Sequence, residues 1–515
     1  MSNKKKKQKQ KITPLSPRQR VVGVYLTLMF SVFPVFCTDG FFNIRHDRYY
    51  FFAALSLALL AFWVLTLLAG DRENAIGKIT ITDWAMLGFL AVCILSTVFS
   101  TEPVKALWGT GGRNNGLFLM VIYVGIYFVV SRYGKPGNVA FAALGILSTF
   151  VSLVAILNFF SLDPLKMLEE LSDGEKKIFF STIGNKNLLS GYLSITLPVL
   201  TVLDVEDSPK WLRVLSLICL IPCFPALLVA DSDSGFLGLG AFVALYLIFY
   251  SRNLLKLKRL MLVLTVMLLS ARLLQPLAYI PALQIKRMEA IQLFFVCSTS
   301  ALWLLAAITL LTGFLHFLMK KKPHLVLPRW LPIALTALMG AGLLAAAAVA
   351  LYLTLNPDIP VQGILLHFRL DNHWGTNRGY MWRRTMDIFW DFNLWRKLFG
   401  SGPDTFYYAF SPYFEELKSY WMSSTNAAHN EYLNYLITVG ILGVSAYCTA
   451  LVSAVVRCFR WAKQLPMAAV YCAAVICYAA QALVSIAQPI TTPLLILFLA
   501  LCAGIPAQTG NTPTR

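Results

Sequence analysis

Charged residues are scarce in this chain. Only 13% of its 515 residues are Asp, Glu, Lys or Arg, whereas soluble domains carry about 25%. This scarcity excludes an ordinary soluble domain. The chain also lacks the segments of about ten alternating apolar and polar residues that build a membrane β-barrel.

Cysteine patterns that bind metals are absent as well. The ten cysteines form no CxxC pair and no Cys/His spacing typical of zinc sites. Most lie inside apolar segments, where cysteine behaves as a small hydrophobic residue. We therefore predict no disulfide, no metal and no cofactor. The cysteines inside apolar segments are Cys93, Cys219, Cys297, Cys472 and Cys477.

Long apolar runs dominate what is present, since 57% of the residues are hydrophobic. A run of about 20 apolar residues crosses the bilayer core of roughly 30 Å as a helix. The sequence therefore predicts an all-α polytopic membrane protein with about 12–14 transmembrane helices. The fourteen apolar segments are 21–37, 49–69, 83–99, 117–131, 139–160, 188–204, 212–230, 235–251, 255–275, 291–315, 329–355, 429–455, 467–486 and 490–506.

The distribution of basic residues predicts the topology. The net charge of +19 is typical of a membrane protein whose basic residues collect on the cytoplasmic side, so we predict no nucleic-acid partner. With the N-terminus inside, short loops and tails hold 26 Lys and Arg inside against 11 outside. We predict cytoplasmic tails at 1–20 and 507–515, eleven helices over 21–355 and three over 429–506. An external loop with short helices spans 356–428.

This topology brings four polar stretches to the external face: 109–116, 184–187, 231–235 and the long loop. A site there meets no cytoplasmic ATP or nucleotide sugar. Its substrate must therefore be activated before it crosses the membrane.

Three of these stretches have plausible structural explanations. Arg113 presents a fork of donors suited to phosphate, but it also fits an ordinary interfacial turn. Asn185 is placed to cap a helix whose free N–H groups favour anions, and Lys186 adds either a point charge or a solvated side chain. The acidic stretch 231–235 fits a wet turn better than a cation site.

The long loop carries the strongest signals. Apolar residues between 379 and 390 recur at helical spacing and predict a short helix against the membrane surface. Arg378 stands at its start, where its donors and the helix N–H groups favour an anion. Asn426 is placed to cap the next helix, with His429 in its first turn. A neutral imidazole there accepts a proton from a hydroxyl.

At this point the sequence resembles the bacterial O-antigen ligase family, which includes O-antigen polymerases and protein O-oligosaccharyltransferases. The resemblance covers about 180–455. It lies in an Arg early in the long external loop, a Gly-x-Gly with aromatics, and a His-Asn-x-Tyr-Leu motif before a span with two glycines. These residues are Arg378, Gly400, Gly402, His429, Asn430, Tyr432, Leu433, Gly440 and Gly443.

The resemblance implies a metal-independent, inverting GT-C-like glycosyltransferase in the bacterial inner membrane. Its donor would be an undecaprenyl-diphosphate-linked glycan and its acceptor a hydroxyl on lipid A–core or another surface molecule, as in lipopolysaccharide biosynthesis. Arg378 and His429 carry over as catalytic residues. The predicted diphosphate- or glycan-binding residues are Arg113, Asn185, Lys186, Arg383, Asn430 and Tyr432.

The sequence departs from the family pattern at one position, and three alternative functions remain open. Where the family commonly has Ser-Arg after a span, this chain has Ser234-Gly235. The alternatives are a polysaccharide polymerase with the same chemistry, a polytopic transporter, and a glycan-binding protein without activity. We find no clear internal repeat, which counts against transport.

Overall fold

A computed structural model gives the fold of this chain. It describes residues 14–40, 43–70, 78–110, 112–280, 288, 290–322, 325–462 and 464–505. Both predicted tails, except residues 14–20, lie outside these ranges. Within residues 14–20, Ser16 caps a helix that begins at Pro17, and Gln19 completes its capping box.

Helices account for almost all of the regular structure. Ahead of the long loop they are α1 (Pro17–Ser31), α2 (Ile44–Leu68), α3 (Ile81–Val98), α4 (Pro103–Trp108), α5 (Leu117–Tyr133), α6 (Asn138–Phe159), α7 (Lys186–Val205), α8 (Lys210–Val229), α9 (Asp233–Tyr250), α10 (Leu254–Arg272), α11 (Leu274–Ala278), α12 (Ala290–Cys297), α13 (Thr299–Lys321) and α14 (Trp330–Leu355). One small antiparallel ladder pairs β1 (Phe179–Phe180) with β2 (Gly184–Asn185).

The long loop folds into short helices before the chain returns to long ones. The loop helices are α15 (Trp374–Asp391), α16 (Leu394–Phe399), α17 (Phe406–Phe410) and α18 (Phe414–Leu417), followed by α19 (Glu431–Thr438). The last three are α20 (Gly440–Trp461), α21 (Met467–Gln481) and α22 (Thr492–Ala503). Short 3₁₀ helices lie at Glu175–Lys177, Gly363–Phe368, Ser411–Tyr413, Lys418–Tyr420 and Ala482–Val484.

The prediction of an all-α polytopic membrane protein is confirmed. Within the described ranges, eleven helices are long and apolar enough to cross a membrane, and α5 and α22 are shorter apolar helices. Each of the fourteen predicted apolar segments overlaps at least one helix, although α1, which matches the first segment, is not among these thirteen. Which end of each helix faces the cytoplasm stays a prediction.

Helix α7 lies at the centre of the bundle. Every residue from Leu188 to Val205 is buried, and the helix packs against α8, α9 and α21. Helices α9 and α21 meet at backbone contact, since a Cβ on Gly238 would lie 2.7 Å from the Cys477 carbonyl oxygen. At the other extreme, α13 and α14 expose nearly all of their apolar surface, as expected of helices that face lipid.

The apolar stripe of α15 packs inward. Tyr380, Met381 and Phe389 are buried in a second core that also includes Phe406 and Phe410. The prediction that this stripe lies against the membrane surface is therefore wrong. The residues that cover this stripe come from α17, α18 and α19, which are too distant in sequence for helical periodicity to reveal.

A glycine junction joins the long loop to the bundle. The Ser401 and Gly402 N–H groups donate to the carbonyl oxygens of Ile437 (3.0 Å) and Thr438 (2.9 Å). Gly440 has φ +68°, and a Cβ on it would lie 2.3 Å from the Leu398 carbonyl oxygen. The predicted continuous segment 429–455 is thus broken here into α19 and α20, because the backbone turns through a conformation that favours glycine.

We expect Gly440→Ala to destabilise the protein. The left-handed conformation costs a non-glycine residue about 1–2 kcal/mol, and the added methyl group meets backbone that has little room to move. Thermal unfolding in detergent should therefore show a lower Tm. Gly342→Ala on α14 is the control, since nothing lies within 4 Å of its Cβ position. An unchanged Tm for Gly440→Ala would contradict this account of the junction.

Candidate functional site

The four polar stretches predicted to share one face make contact with one another. The Thr110 N–H donates to the Asp404 carboxylate in the long loop (2.7 Å). Lys186 pairs with Asp231 (Nζ–Oδ2 3.1 Å), which joins the second stretch to the third. His367 Nε2 lies 3.2 Å from Asp233 Oδ2, which joins the third stretch to the loop. Residues far apart in sequence are thereby assembled into one polar region.

His429 stands just before α19. Asn430 is the N-cap, since its side-chain oxygen accepts from the N–H groups of Tyr432 and Leu433, both at 3.0 Å. The prediction that Asn426 caps this helix is therefore wrong, and His429 lies outside the first turn. Its φ is +51°, a sparsely populated conformation for a residue other than glycine. Such strained positions concentrate at functional sites.

Burial and two arginines keep His429 neutral. Desolvation, then the positive charges of Arg378 and Arg113, lower the pKa of His429 to about 3. Both guanidinium groups therefore lie close enough to act on the imidazole. In the described part of the chain, neither ring nitrogen of His429 forms a hydrogen bond. The imidazole thus has a lone pair available for a substrate proton.

Arg113 is fixed by the long loop. Its guanidinium donates to the backbone carbonyl of Asn426 (3.0 Å) and also to the Asn426 side-chain oxygen. Burial lowers its pKa to about 10, although Asp404 opposes the shift. Burial also raises the pKa of Asp404 to about 6. The nearby Arg113 charge and hydrogen bonds from Thr110 and Asn115 lower this pKa but do not cancel the effect of burial. Arg113, Asp404 and Asn426 therefore lock the stretch 109–116 to the loop.

Arg378 begins the regular part of α15. The three residues before it, Gly375, Thr376 and Asn377, all have positive φ and turn the backbone into the helix. Burial lowers the pKa of Arg378, with a partial offset from Asp233. Its side chain donates no hydrogen bond to any residue that the structure describes. A half-buried guanidinium with its donors unused is suited to bind an anion.

A cavity of about 390 Å³ lies beside His429. Asn426 also contributes to its wall, on the side where Arg113 is attached. The remaining lining residues are Thr110, Tyr407, Tyr408, Met422, Ser424 and Thr425. The cavity thus combines two aromatic rings with hydroxyl and amide groups around the imidazole.

Glu431 ties this region to the membrane helices. Its buried carboxylate accepts hydrogen bonds from Tyr447 on α20 (2.6 Å) and from Tyr478 on α21 (2.9 Å). Sequence reasoning missed this residue, because its partners lie 16 and 47 positions away. An acidic residue in the last polar turn before an apolar span was the available signal.

Several predicted binding residues have structural partners instead. The Lys186 charge is paired with Asp231, and Asn185 caps α7 by accepting from the Asn187 N–H (2.8 Å). Tyr432 donates its hydroxyl to the Ala479 carbonyl (2.7 Å), and Asn430 caps α19. No described contact joins these side chains to Arg378 or His429. Their role in substrate binding stays a prediction.

Arg383 lies on the exposed side of α15 and lines no part of the cavity. Its neighbour Arg384 pairs with Glu416 (2.6 Å) and Asp387 (3.0 Å). Metal ligands are also not assembled here: among the described residues, no three His, Cys, Asp or Glu side chains are grouped for a metal ion.

The absence of an arginine after Ser234 has a packing explanation. A Cβ on Gly235 would lie 2.4 Å from Leu227 Cδ1 and 2.4 Å from Ser190 Oγ. Helices α7, α8 and α9 meet too closely here for a long side chain.

Comparison with known proteins supports the resemblance. Residues 290–448 match the family model described as O-antigen ligase, which confirms the resemblance over that part of the chain. The match contains Arg378, the glycine junction and His429, and it indicates glycosyl transfer with lipid-linked glycan substrates in general. No curated protein matches the chain.

The low pKa of His429 makes a testable contribution to stability. The unfolded chain binds a proton on this residue near its ordinary pKa of 6.5, whereas the folded chain binds it only near 3. Between these values the unfolded state holds more protons, so stability falls as the pH falls. We expect the Tm of His429→Gln to decrease less than that of wild type between pH 7 and pH 4.

The exposed His373 offers a control for this measurement. His373→Gln should keep the wild-type decrease of Tm with pH. Equal slopes for wild type and His429→Gln would show that His429 is not held neutral in the folded protein.

Proposed function

We propose that this protein is a glycosyltransferase that moves a glycan from undecaprenyl diphosphate to a hydroxyl acceptor on the outer face of the bacterial cytoplasmic membrane. The observation that carries the proposal is the assembly of His429, Arg378 and Arg113 at one polar region. A neutral base without a protein partner and two cations suit the transfer of a group from a diphosphate. The family match to residues 290–448 supports the same chemistry.

The leaving group explains the arginines. When the bond between the anomeric carbon and the phosphate oxygen breaks, negative charge grows on the diphosphate. Arg378 has unused donors and a fork that binds phosphate bidentately, so it is the primary contact. Arg113 adds a fixed positive charge nearby. Such preorganised charges are usually the largest contribution to catalysis of this kind.

His429 takes the proton of the acceptor hydroxyl. The hydroxyl oxygen attacks the anomeric carbon as the phosphate leaves, which inverts the anomeric configuration, and the proton passes to a ring nitrogen. A pKa of about 3 makes the imidazole a weak base in the free protein. The bound diphosphate offsets the charges of Arg378 and Arg113 and thereby raises that pKa. Binding of the donor therefore strengthens the base when it is needed.

Ligase and polymerase share this chemistry and differ in the acceptor. A ligase transfers the glycan to a lipid A–core or another surface acceptor, whereas a polymerase transfers it to a second lipid-linked glycan. The donor would approach from the bilayer with its polyprenyl chain between helices. No cytoplasmic energy source is needed, since the diphosphate linkage is already activated.

We expect His429→Ala and Arg378→Ala each to lower the transfer rate by about 100-fold or more, the size of effect typical for losing a general base or a charge-stabilising donor. The measurement uses purified protein in nanodiscs with an undecaprenyl-diphosphate-linked glycan and an acceptor. In cells lacking the native gene, both variants should accumulate lipid-linked glycan and lose the glycosylated product.

The matched control is Arg396→Ala, which removes an arginine of α16 that stacks over Phe392. It should transfer at the wild-type rate at equal membrane levels. If the His429 and Arg378 variants also matched wild type, the loop would not be the active site. A transporter or a glycan-binding protein would then be favoured over a glycosyltransferase.

Metal independence is a separate expectation. Two arginines take the role that a divalent cation has in many phosphate-transfer sites. Transfer by the purified protein should therefore continue at the same rate after dialysis against EDTA. Loss of activity that returns with Mg²⁺ or Mn²⁺ would contradict this assignment of the arginines.

A further inference from the structure

The cavity beside His429 differs from the rest of the site in its charge. Its lining contains no Asp, Glu, Lys or Arg. Arg113 lines a neighbouring cavity instead, with its guanidinium donating to the carbonyl and side-chain oxygens of Asn426, and Arg378 is not part of the wall. A phosphate in the cavity would find no ion-pair partner in the lining, and neither would a sugar carboxylate. The diphosphate therefore belongs with the arginines and a different ligand belongs in the cavity.

Unused hydroxyl groups point to a ligand rich in hydrogen-bonding groups. The Tyr407, Tyr408 and Ser424 hydroxyls form no hydrogen bonds with other described residues, and the same holds for the Asn426 side-chain amide nitrogen. Together they offer both donors and acceptors. Sugar hydroxyls likewise donate and accept, so a glycan matches this set better than an apolar ligand.

The aromatic rings add a flat apolar surface. Tyr407 and Tyr408 have ring centroids 5.4 Å apart at an angle of 80°, and Phe414 packs on Tyr407 at 4.9 Å. The rings are thus held in place before a ligand arrives. A pyranose has one face of C–H groups, which packs against a tyrosine ring while the hydroxyls bond at its edge. Met422 completes the wall with an adaptable apolar side chain.

From these features we propose that the cavity is the acceptor subsite and that it takes the uncharged terminal pyranose of a glycan. This inference rests on the proposed function, since it is His429 in the cavity wall that receives the acceptor proton. A volume of about 390 Å³ is at the small end of ligand pockets. It suits one or two sugar units, with the reacting hydroxyl towards the imidazole. The acceptor is therefore a glycan chain and not a protein side chain.

Kinetics of transfer give the first test. Tyr408→Ala removes a ring from the wall, and Ser424→Ala removes a free hydroxyl. With a glycan acceptor, Tyr408→Ala should raise the acceptor KM about tenfold and Ser424→Ala about threefold, in line with the loss of one stacking contact or one hydrogen bond. The KM for the lipid-linked donor should stay within twofold of wild type. Trp390→Ala, an exposed aromatic outside the cavity, should change neither constant.

A binding measurement tests the ligand class without turnover. Saturation-transfer NMR is recorded on the full chain in nanodiscs with the methyl β-glycosides of glucose, galactose, mannose and N-acetylglucosamine. The probe for an acidic sugar is methyl β-glucuronide, which differs from the glucoside by a carboxylate. At least one uncharged glycoside should receive saturation that Tyr408→Ala abolishes and Trp390→Ala preserves. The glucuronide should receive less saturation than the glucoside.

The outcomes separate this inference from the proposed function. If His429→Ala stops transfer while Tyr408→Ala leaves the acceptor KM unchanged, the subsite assignment is overturned and the glycosyltransferase assignment stands. If His429→Ala transfers normally, the proposed function fails, and the acceptor subsite fails with it. Absence of binding by every uncharged glycoside, or stronger binding of the glucuronide, overturns the ligand class.

Discussion

The candidate site depends on the hydrogen bonds of the buried Glu431 carboxylate. A buried carboxylate is costly unless its oxygens are hydrogen-bonded, and the phenols of Tyr447 and Tyr478 meet that need. A tilt or slide of helix α19 would therefore leave a buried polar group without its hydrogen bonds. His429 and Asn430 immediately precede Glu431, so their direction is set from within the membrane bundle. The glycine junction at 400–402 and 437–440 fixes the other end of the same helix.

Charge at this site is arranged for a partner that is itself charged. Two guanidinium groups and a neutral imidazole share one region, and each guanidinium has one acidic neighbour, Asp404 for Arg113 and Asp233 for Arg378. At His429 the positive charges of the two arginines nevertheless prevail, since both lower its pKa. On the proposed mechanism, a bound diphosphate would offset this positive charge and make the imidazole a better base. Backbone strain gathers in the same place: Asn114, Asp231, Asp404 and His429 all have positive φ. Asn and Asp adopt this conformation more readily than other residues, so the strain rests mainly on His429, and strained positions of this kind concentrate at functional sites.

Apolar run length was sufficient to predict the bundle, because the bilayer imposes one length on every crossing helix. The convergence of the four polar stretches also followed from topology, since alternating helices bring alternate loops to one face. The contacts between individual side chains on that face could not be predicted from the topology. Asp404 with Thr110, Asn426 with Arg113 and Glu431 with Tyr447 are tertiary contacts between residues that no local pattern connects. The inward packing of α15 was not predicted for the same reason. An apolar stripe indicates that one face of the helix is buried, but it does not indicate whether protein or lipid buries it.

Gly235 stands where the family pattern has an arginine, so this chain has one cation fewer at that position. Close packing of α7, α8 and α9 leaves no space for an arginine there. Asp233, two residues earlier on α9, acts on Arg378 through its negative charge. Asp233 gives Arg378 a partial counterion while the site is free of substrate. On the proposed mechanism, the donor diphosphate would displace that carboxylate, because it carries more charge and can bind the guanidinium fork bidentately. On that mechanism the positive charge for the leaving group comes from Arg378 in the long loop and from Arg113, which the long loop fixes through Asn426, so we expect this loop to determine donor binding.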